Sequence, residues 1–145
     1  MQILIEKAPR RLTLLNPAGN MLLQCKIALG SCPIGPKQRE GDGKTPEGDY
    51  YVCLKKRGKW GPSLGISYPN EQDAQGMGEP LLACIRDRAA RWERPPWGTP
   101  LGGEIYIHGG GVERDWTAGC VALSDADAEA LYRLVPLGTA VRIVP

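Results

Sequence analysis

Frequent glycine and proline residues constrain the fold of this chain most, because both residue types interrupt helices and mark turns. The 145 residues include 19 glycines, 13 prolines and no phenylalanine. The apolar stretches between these breaks are short: Ile3 and Ile5 alternate with polar neighbours, and residues 12–15, 21–29 and 50–54 have the pattern of strands. A chain of this length fits one domain. We therefore expect a mainly β fold with short helices, in a single domain covering residues 1–145.

Two segments change to a helical period. Residues 79–92 place apolar side chains on one face of a helix, and Pro95 and Pro96 prevent its continuation. The members of this face are Leu81, Leu82, Ile85, Ala89 and Trp92. We expect the face to pack on the core rather than to bind a cofactor.

The second helix is predicted to begin after Ser124, whose hydroxyl group suits an N-cap. Leu131, Leu134 and Val135 form its expected buried edge, and Pro136 ends it. Residues 139–144 then predict a closing strand.

The charge balance excludes some classes of partner. A formal net charge of +2 gives little reason to expect a nucleic acid or a membrane surface. No stretch of about 18 apolar residues occurs, so we expect no membrane span. The N-terminal residues lack the features of a secretory signal. We interpret this as a cytoplasmic protein, or one exported without a visible signal, or one whose signal has been removed.

The cysteine pattern favours a free thiol over a metal site. The odd count of five cysteines leaves at least one of them unpaired, and His108 is the only histidine. No two cysteines have the spacing of a zinc or redox motif. We expect no metal and no cofactor, and we interpret four cysteines as small core or surface residues: Cys25, Cys32, Cys53 and Cys84.

A candidate catalytic pair lies in the second half of the chain. A predicted strand over residues 104–107 ends at His108, and Cys120 follows a Gly119 turn twelve positions later. An imidazole next to a thiol can remove its proton and leave the nucleophilic thiolate. The backbone N–H groups of Gly119 and Cys120 could hold an oxyanion, and the carbonyl group of Gly109 could orient the base. The alternative is a hydrogen-bonded turn histidine and a chance Gly-Cys pair.

Residues 30–48 form a polar, glycine-rich loop. A loop of this kind is commonly a solvated connection. Long loops in a small domain are also often functional, so this one remains a candidate for substrate contact.

Several segments in order resemble one known family. Residues 95–123 contain Ile-His-Gly-Gly-Gly and Asp-Trp-Thr-Ala-Gly-Cys, residues 42–48 contain Thr-Pro-Glu-Gly, and residues 64–70 read Leu-Gly-Ile-Ser-Tyr-Pro-Asn. Together they resemble the L,D-transpeptidase catalytic domain of the YkuD type, in the branch with Asp-Trp-Thr-x-Gly-Cys before the nucleophile. The resemblance implies a β-sandwich or barrel with a few short helices.

The resemblance also implies a reaction and its residues. Cys120 is expected to be the nucleophile, His108 the base, the Gly109 carbonyl its orienting group, and Gly119 and Cys120 the oxyanion donors. The residues expected to contact substrate are Tyr68, Asp115, Trp116 and Thr117.

The substrates implied by the resemblance are peptidoglycan stem peptides, carbapenems are implied inhibitors, and the implied location is the cell envelope. Acyl transfer to an amine would make the protein a transpeptidase, whereas transfer to water would make it a carboxypeptidase or amidase. A non-catalytic module that binds wall peptides is the third possibility.

The chain departs from the pattern of many relatives at Ala118 and Ala122. Ala118 removes a second imidazole, so His108 has no substitute. Ala122 replaces an arginine, which leaves open the cation that receives a substrate carboxylate. The candidates by charge are Arg39, Lys44 and Arg114.

Overall fold

The computed structural model describes all 145 residues. Eight strands and two helices form in the order Gln2–Glu6 (β1), Arg11–Leu15 (β2), Met21–Lys26 (β3), Gly48–Gly58 (β4), Gly61–Ile66 (β5), Glu79–Ala90 (α1), Tyr106–His108 (β6), Val121–Ala122 (β7), Asp125–Leu134 (α2) and Ala140–Val144 (β8). The strands make one eight-stranded sheet, ordered β3-β2-β1-β8-β4-β5-β6-β7. The prediction of a mainly β, single-domain fold with short helices is confirmed.

The sheet curls until the chain beyond one outer strand meets the other outer strand. Ala28, which follows β3, forms an antiparallel bridge to Ala122 of β7 through two N–H···O bonds of 2.9 Å. Gly30 forms a further bridge to Thr117. These contacts give the sheet the shape of a half-barrel, and they bring the start of the polar loop against the segment that precedes β7.

The core lies inside this curl and contains 23 buried residues. Ile3 and Ile5 in β1 are fully buried whereas their neighbours in the strand are partly exposed, as the two-residue period of a strand requires. Leu131 of α2 and Ile107 of β6 belong to the same cluster. Each such side chain contributes about 1.5–3 kcal/mol when buried. Apolar packing therefore stabilises the fold, and all five cysteines are free thiols.

The helix α1 is shorter than predicted. It ends at Ala90, and Trp92 lies beyond it with a φ of +59° and 54% of its surface exposed. The expected apolar face is therefore wrong at Trp92, because the chain leaves the helical conformation before that residue. Of the five predicted positions, only Ile85 is fully buried within the helix.

The helix α2 begins as predicted. The hydroxyl group of Ser124 accepts a hydrogen bond of 3.2 Å from the Asp127 N–H, which satisfies one free donor of the first turn. Leu131 and Val135 are buried, but Leu134 is 43% exposed and does not belong to the buried edge. The strand β8 follows and inserts between β1 and β4, so it is an inner strand of the sheet.

Neither helix combines the length and apolar character needed to cross a membrane. The structure also contains no group of three or more histidine, cysteine, aspartate or glutamate residues arranged to hold a metal ion.

Candidate active site

The parallel pairing of β6 with β7 brings the segment that carries Cys120 alongside the strand that ends at His108. Ile107 pairs with Val121 and His108 with Ala122, so Cys120 lies two residues before the partner of His108. Cys120 directly precedes β7, one residue before Val121, the partner of Ile107.

His108 is held in one orientation by its own turn. Its Nδ1 lies 2.5 Å from the carbonyl oxygen of Gly109 and donates a hydrogen bond to it. Nε2 makes no hydrogen bond, and the structure has no buried side-chain nitrogen that lacks a partner. Nε2 is therefore accessible from the surface and is the nitrogen that can accept a proton.

Two tryptophans enclose the imidazole of His108. Trp60 stacks on it at 5.9 Å between ring centroids, and Trp116 meets it edge-on at 5.8 Å. Burial lowers the pKa of His108 below its ordinary value, and the hydrogen bond to Gly109 offsets only part of this effect. The ring is thus neutral at neutral pH, as a proton acceptor must be.

The thiol of Cys120 is bonded to the backbone of the neighbouring strand. Its Sγ accepts a hydrogen bond of 3.3 Å from the Tyr106 N–H and donates one of 3.5 Å to the Glu104 carbonyl group, and it makes none to His108. Burial raises the pKa of Cys120, while the Tyr106 N–H and the positive charge of Lys37 act in the opposite direction. The resting site therefore holds a neutral thiol and a neutral imidazole rather than an ion pair.

The turn before Cys120 is braced by Thr117. The Thr117 hydroxyl group donates a 2.7 Å hydrogen bond to the Cys120 carbonyl group and accepts one of 3.1 Å from the Gly119 N–H. The Gly119 N–H, which was expected to be an oxyanion donor, is thus paired within the turn. The Cys120 N–H makes no hydrogen bond in the protein and remains available.

Thr117 was expected to contact substrate. Its side chain is buried, and both hydrogen-bonding functions of its hydroxyl group serve the turn. Gly119 allows this turn because its φ is +147°, and because a Cβ atom there would lie 2.7 Å from the Lys44 carbonyl oxygen.

Tyr68 and Asp115 also have structural contacts where substrate contacts were expected. Tyr68 is completely buried, and its hydroxyl group donates to the Leu101 carbonyl group at 2.8 Å. Asp115 accepts two hydrogen bonds from Arg10 and one of 2.9 Å from the Leu29 N–H. Asp115 therefore anchors the loop before Cys120 to Arg10 and Leu29, and Tyr68 packs in the core.

Trp116 is the expected substrate residue that does line an open space. A cavity of about 320 Å³ lies beside the imidazole. Its lining residues are Trp60, Gly110, Gly111, Glu113, Arg114 and Trp116. The two tryptophans that contact His108 form its apolar wall, and adjacent acidic and basic side chains form its polar rim.

The three candidate cations occupy different places. Arg114 lines the cavity beside Trp116. Lys44 donates a 2.6 Å hydrogen bond to the Ile34 carbonyl group, and Arg39 is exposed on the polar loop. Arg114 is therefore the one placed to meet a ligand in that cavity.

One charged group beside the site was missed in the sequence. Lys37 is buried, and its Nζ forms an ion pair of 2.9 Å with Asp42. The same Nζ lies 3.6 Å from the position that a Cβ atom on Gly119 would occupy. The polar loop thus packs behind the nucleophile turn. Its charged residues suggested a solvated surface, and no local pattern singles out Lys37.

Comparison with known proteins identifies the family. The family model of the L,D-transpeptidase catalytic domain, YkuD, matches residues 1–143. Among curated proteins, the putative L,D-transpeptidase YafK of Escherichia coli K12 is 30% identical over 113 residues, which cover 76% of this chain and 35% of YafK. The chain therefore spans about a third of the length of that relative.

Solved structures share the fold. The helical cell shape determining protein Pgp2 of Campylobacter jejuni has a TM-score of 0.70 at 24% identity, covering 98% of this chain and 46% of Pgp2. The L,D-transpeptidase LdtMt1, solved in complex with imipenem, has a TM-score of 0.59 at 14% identity, covering 99% of this chain and 58% of that one. With the family match over almost every residue, the chain belongs to the L,D-transpeptidase catalytic domain family.

Proposed function

We propose that this protein is a cysteine acyltransferase acting on peptidoglycan stem peptides, with Cys120 as nucleophile and His108 as base. The observation that carries the proposal is the pairing of β6 with β7, which brings the segment of Cys120 alongside His108, whose Nδ1 is bonded to Gly109 and whose Nε2 makes no hydrogen bond. The family supplies the substrate class. The cell envelope, where these peptides occur, is the proposed location.

The acylation step begins with a neutral pair. Rotation of the Cys120 side chain away from the Glu104 carbonyl group directs the thiol hydrogen toward Nε2 of His108. As Sγ bonds to the substrate carbonyl carbon, the proton passes to Nε2. The oxyanion that forms is held by the unpaired Cys120 N–H. Collapse of the intermediate breaks the C–N bond, and the leaving amine takes the proton from Nε2.

The thioester is then resolved by a second nucleophile. An amine of a neighbouring stem peptide transfers its proton to Nε2, attacks the thioester carbonyl carbon and releases the Cys120 thiol. Water in the same position gives hydrolysis. The cavity lined by Trp60 and Trp116, the two tryptophans that contact His108, is the proposed site for one substrate strand, with Arg114 as the proposed receptor for its carboxylate.

Product analysis tests the reaction. A stem tetrapeptide incubated with and without a second peptide that carries a free side-chain amine should release the terminal D-amino acid and form a cross-linked product in the presence of the amine. Cys120→Ala should release nothing, whereas Cys32→Ser, which changes an exposed cysteine elsewhere, should retain activity. Release of the D-amino acid with no cross-linked product would make the protein a carboxypeptidase. Full biological effect in Cys120→Ala would favour a non-catalytic binding module.

Imipenem provides an independent probe of the nucleophile. An accessible activated thiol opens the β-lactam ring, and the protein should gain the mass of one drug molecule at Cys120. Cys32→Ser should gain the same mass and Cys120→Ala should gain none.

A further inference from the structure

Lys37 and Asp42 form a buried ion pair within the polar loop. Only 4% of the Lys37 side chain and 6% of the Asp42 side chain are exposed, and Nζ lies 2.9 Å from the Asp42 carboxylate. Surface pairs of this kind contribute little, whereas a buried ammonium group is costly unless an anion compensates it. A pair held this far from water therefore needs a reason beyond solubility.

The ammonium group lies directly behind the nucleophile turn. A Cβ atom on Gly119 would be 3.6 Å from Nζ, so no side chain separates Lys37 from the backbone immediately before Cys120. The Lys44 carbonyl oxygen lies on the same side of Gly119, 2.7 Å from that Cβ position. The loop thus carries one fixed positive charge to the base of the residue that must become an anion.

The ion pair leaves hydrogen-bond donors of Lys37 unused. An ammonium group has three donors, and Lys37 uses one, for Asp42. Asp42 is in contrast fully engaged, because it also accepts from the N–H groups of Gln38, Arg39 and Lys44. The carboxylate therefore fixes the position of Nζ, while the ammonium charge is only partly compensated and can stabilise a second anion nearby.

We propose that Lys37, held by Asp42 behind Gly119, is the counter-charge that stabilises the Cys120 thiolate as its proton leaves for His108. Lys37 is a positioning residue in this account, because it acts through Cys120 and its buried side chain does not reach the substrate. The inference rests on the proposed function, in that it assigns Lys37 to the same nucleophile. It predicts a property of the free protein that is measurable with no substrate.

The pH dependence of Cys120 alkylation by iodoacetamide tests this role. Removing the positive charge beside the Gly119 turn should raise the apparent pKa of the thiol by about one unit, so Lys37→Met should react about tenfold more slowly at neutral pH. Lys37→Arg keeps the positive charge, so its Cys120 should be alkylated at nearly the rate of the unchanged protein. Peptide mapping assigns the label to Cys120 among the five thiols, and circular dichroism checks that each variant is folded.

Lys7 offers a matched control. Its side chain is also 4% exposed, and its Nζ binds Glu47 and the carbonyl groups of Gly35 and Thr45, in the same loop. Lys7→Met therefore removes a buried lysine that contacts the loop at Gly35, Thr45 and Glu47 rather than at the Gly119 turn. The pH dependence of Cys120 alkylation should be unchanged in Lys7→Met. A rise in the apparent pKa of Cys120 equal to that in Lys37→Met would overturn the inference.

Asp42→Asn separates the electrostatic role from loop damage. Loss of the carboxylate leaves the Lys37 charge uncompensated, so the apparent pKa of the Cys120 thiol should fall, opposite to the effect of Lys37→Met. Loosening of the loop would move both variants in the same direction. Shifts of the same sign, or no shift in a folded Lys37→Met, would overturn the inference.

Alkylation does not depend on acyl transfer, so the two proposals fail in distinguishable ways. If no acyl-enzyme forms but the apparent pKa of Cys120 still shifts in opposite directions in Lys37→Met and Asp42→Asn, the proposed reaction is rejected and the role of Lys37 is kept. An acyl-enzyme that forms without these shifts would reject the role of Lys37 alone.

Discussion

The Nδ1 atom of His108 donates to the carbonyl group of Gly109, and this single contact fixes which nitrogen can take part in proton transfer. A carbonyl oxygen can only accept, so Nδ1 carries the hydrogen and Nε2 has the free lone pair. The donor and the acceptor are consecutive residues, so the tautomer is set by the glycine turn itself. The carboxylate of a catalytic triad has no counterpart here.

Replacing His108 by glutamine should remove the base while keeping a polar side chain. His108→Gln cannot accept the Cys120 proton, so we expect acylation to slow by about 10²–10⁴-fold. Single-turnover measurement of D-amino acid release reports this step. The pair would be contradicted if His108→Gln acylated as fast as the unchanged protein.

The pH at which activity is lost on the acid side should lie below the ordinary pKa of a histidine. Burial lowers the pKa of His108 from its ordinary value of 6.5, and the neutral ring is the active form. Activity should therefore persist down to pH 6.5 and fall only as the pH drops further. The pH profile of kcat/KM gives the midpoint, and a midpoint above 6.5 would rule out a buried neutral imidazole as the base.

Thr117 should be needed for its hydroxyl group rather than its size. Thr117→Val leaves the buried Gly119 N–H without an acceptor, and we expect a loss of about 1–3 kcal/mol in the free energy of unfolding. Thr117→Ser retains both hydrogen bonds and should lose less. Urea unfolding of the two variants makes the comparison, and equal stabilities would show that the brace is unimportant.

Asp42 should make the fold sensitive to acid. Burial alone would raise its pKa, but hydrogen bonds from the Gln38 N–H, from Lys37 and from the Lys44 and Arg39 N–H groups outweigh this and hold the pKa at about 2. A carboxyl group with a lowered native pKa stabilises the fold above its unfolded value of 3.8, and the contribution is lost as the pH falls toward 2.

Thermal melting of the protein and of Asp42→Asn between pH 5 and about pH 2 checks this effect. The unchanged protein should melt at a higher temperature than Asp42→Asn at pH 5, and this difference should disappear as the pH falls to about 2. A constant difference in melting temperature would contradict the assignment.

The elements and the pair of candidate catalytic residues could be predicted because their signals are local. The two-residue alternation around Ile3 and Ile5 indicates a strand whatever surrounds it, and Ser124 caps α2 through its own first turn. The strand that ends at His108 and the glycine turn before Cys120 are also readable within a few residues. The parallel register between β6 and β7 then brings the two segments side by side.

The contacts that could not be predicted involve residues whose partners are distant in the sequence. Asp115 lies shortly before Cys120 and was expected to contact substrate. Its carboxylate accepts a hydrogen bond from Arg10 in the β1–β2 turn. Tyr68 lies in a family motif, yet its ring is packed in the core. Lys37 was overlooked because only the folded loop brings it to Gly119. Tertiary partners of this kind are not encoded in the spacing of neighbouring residues.

The central claim is that the Cys120 sulfur forms a covalent bond to the substrate. Rapid quenching of the protein with a stem tetrapeptide, followed by intact-mass and peptide-mapping mass spectrometry, tests it directly. The account predicts one adduct with the mass of the peptide lacking its terminal D-amino acid, located on Cys120 and absent from Cys120→Ala. Continued turnover in Cys120→Ala, or an adduct on a different residue, would contradict it.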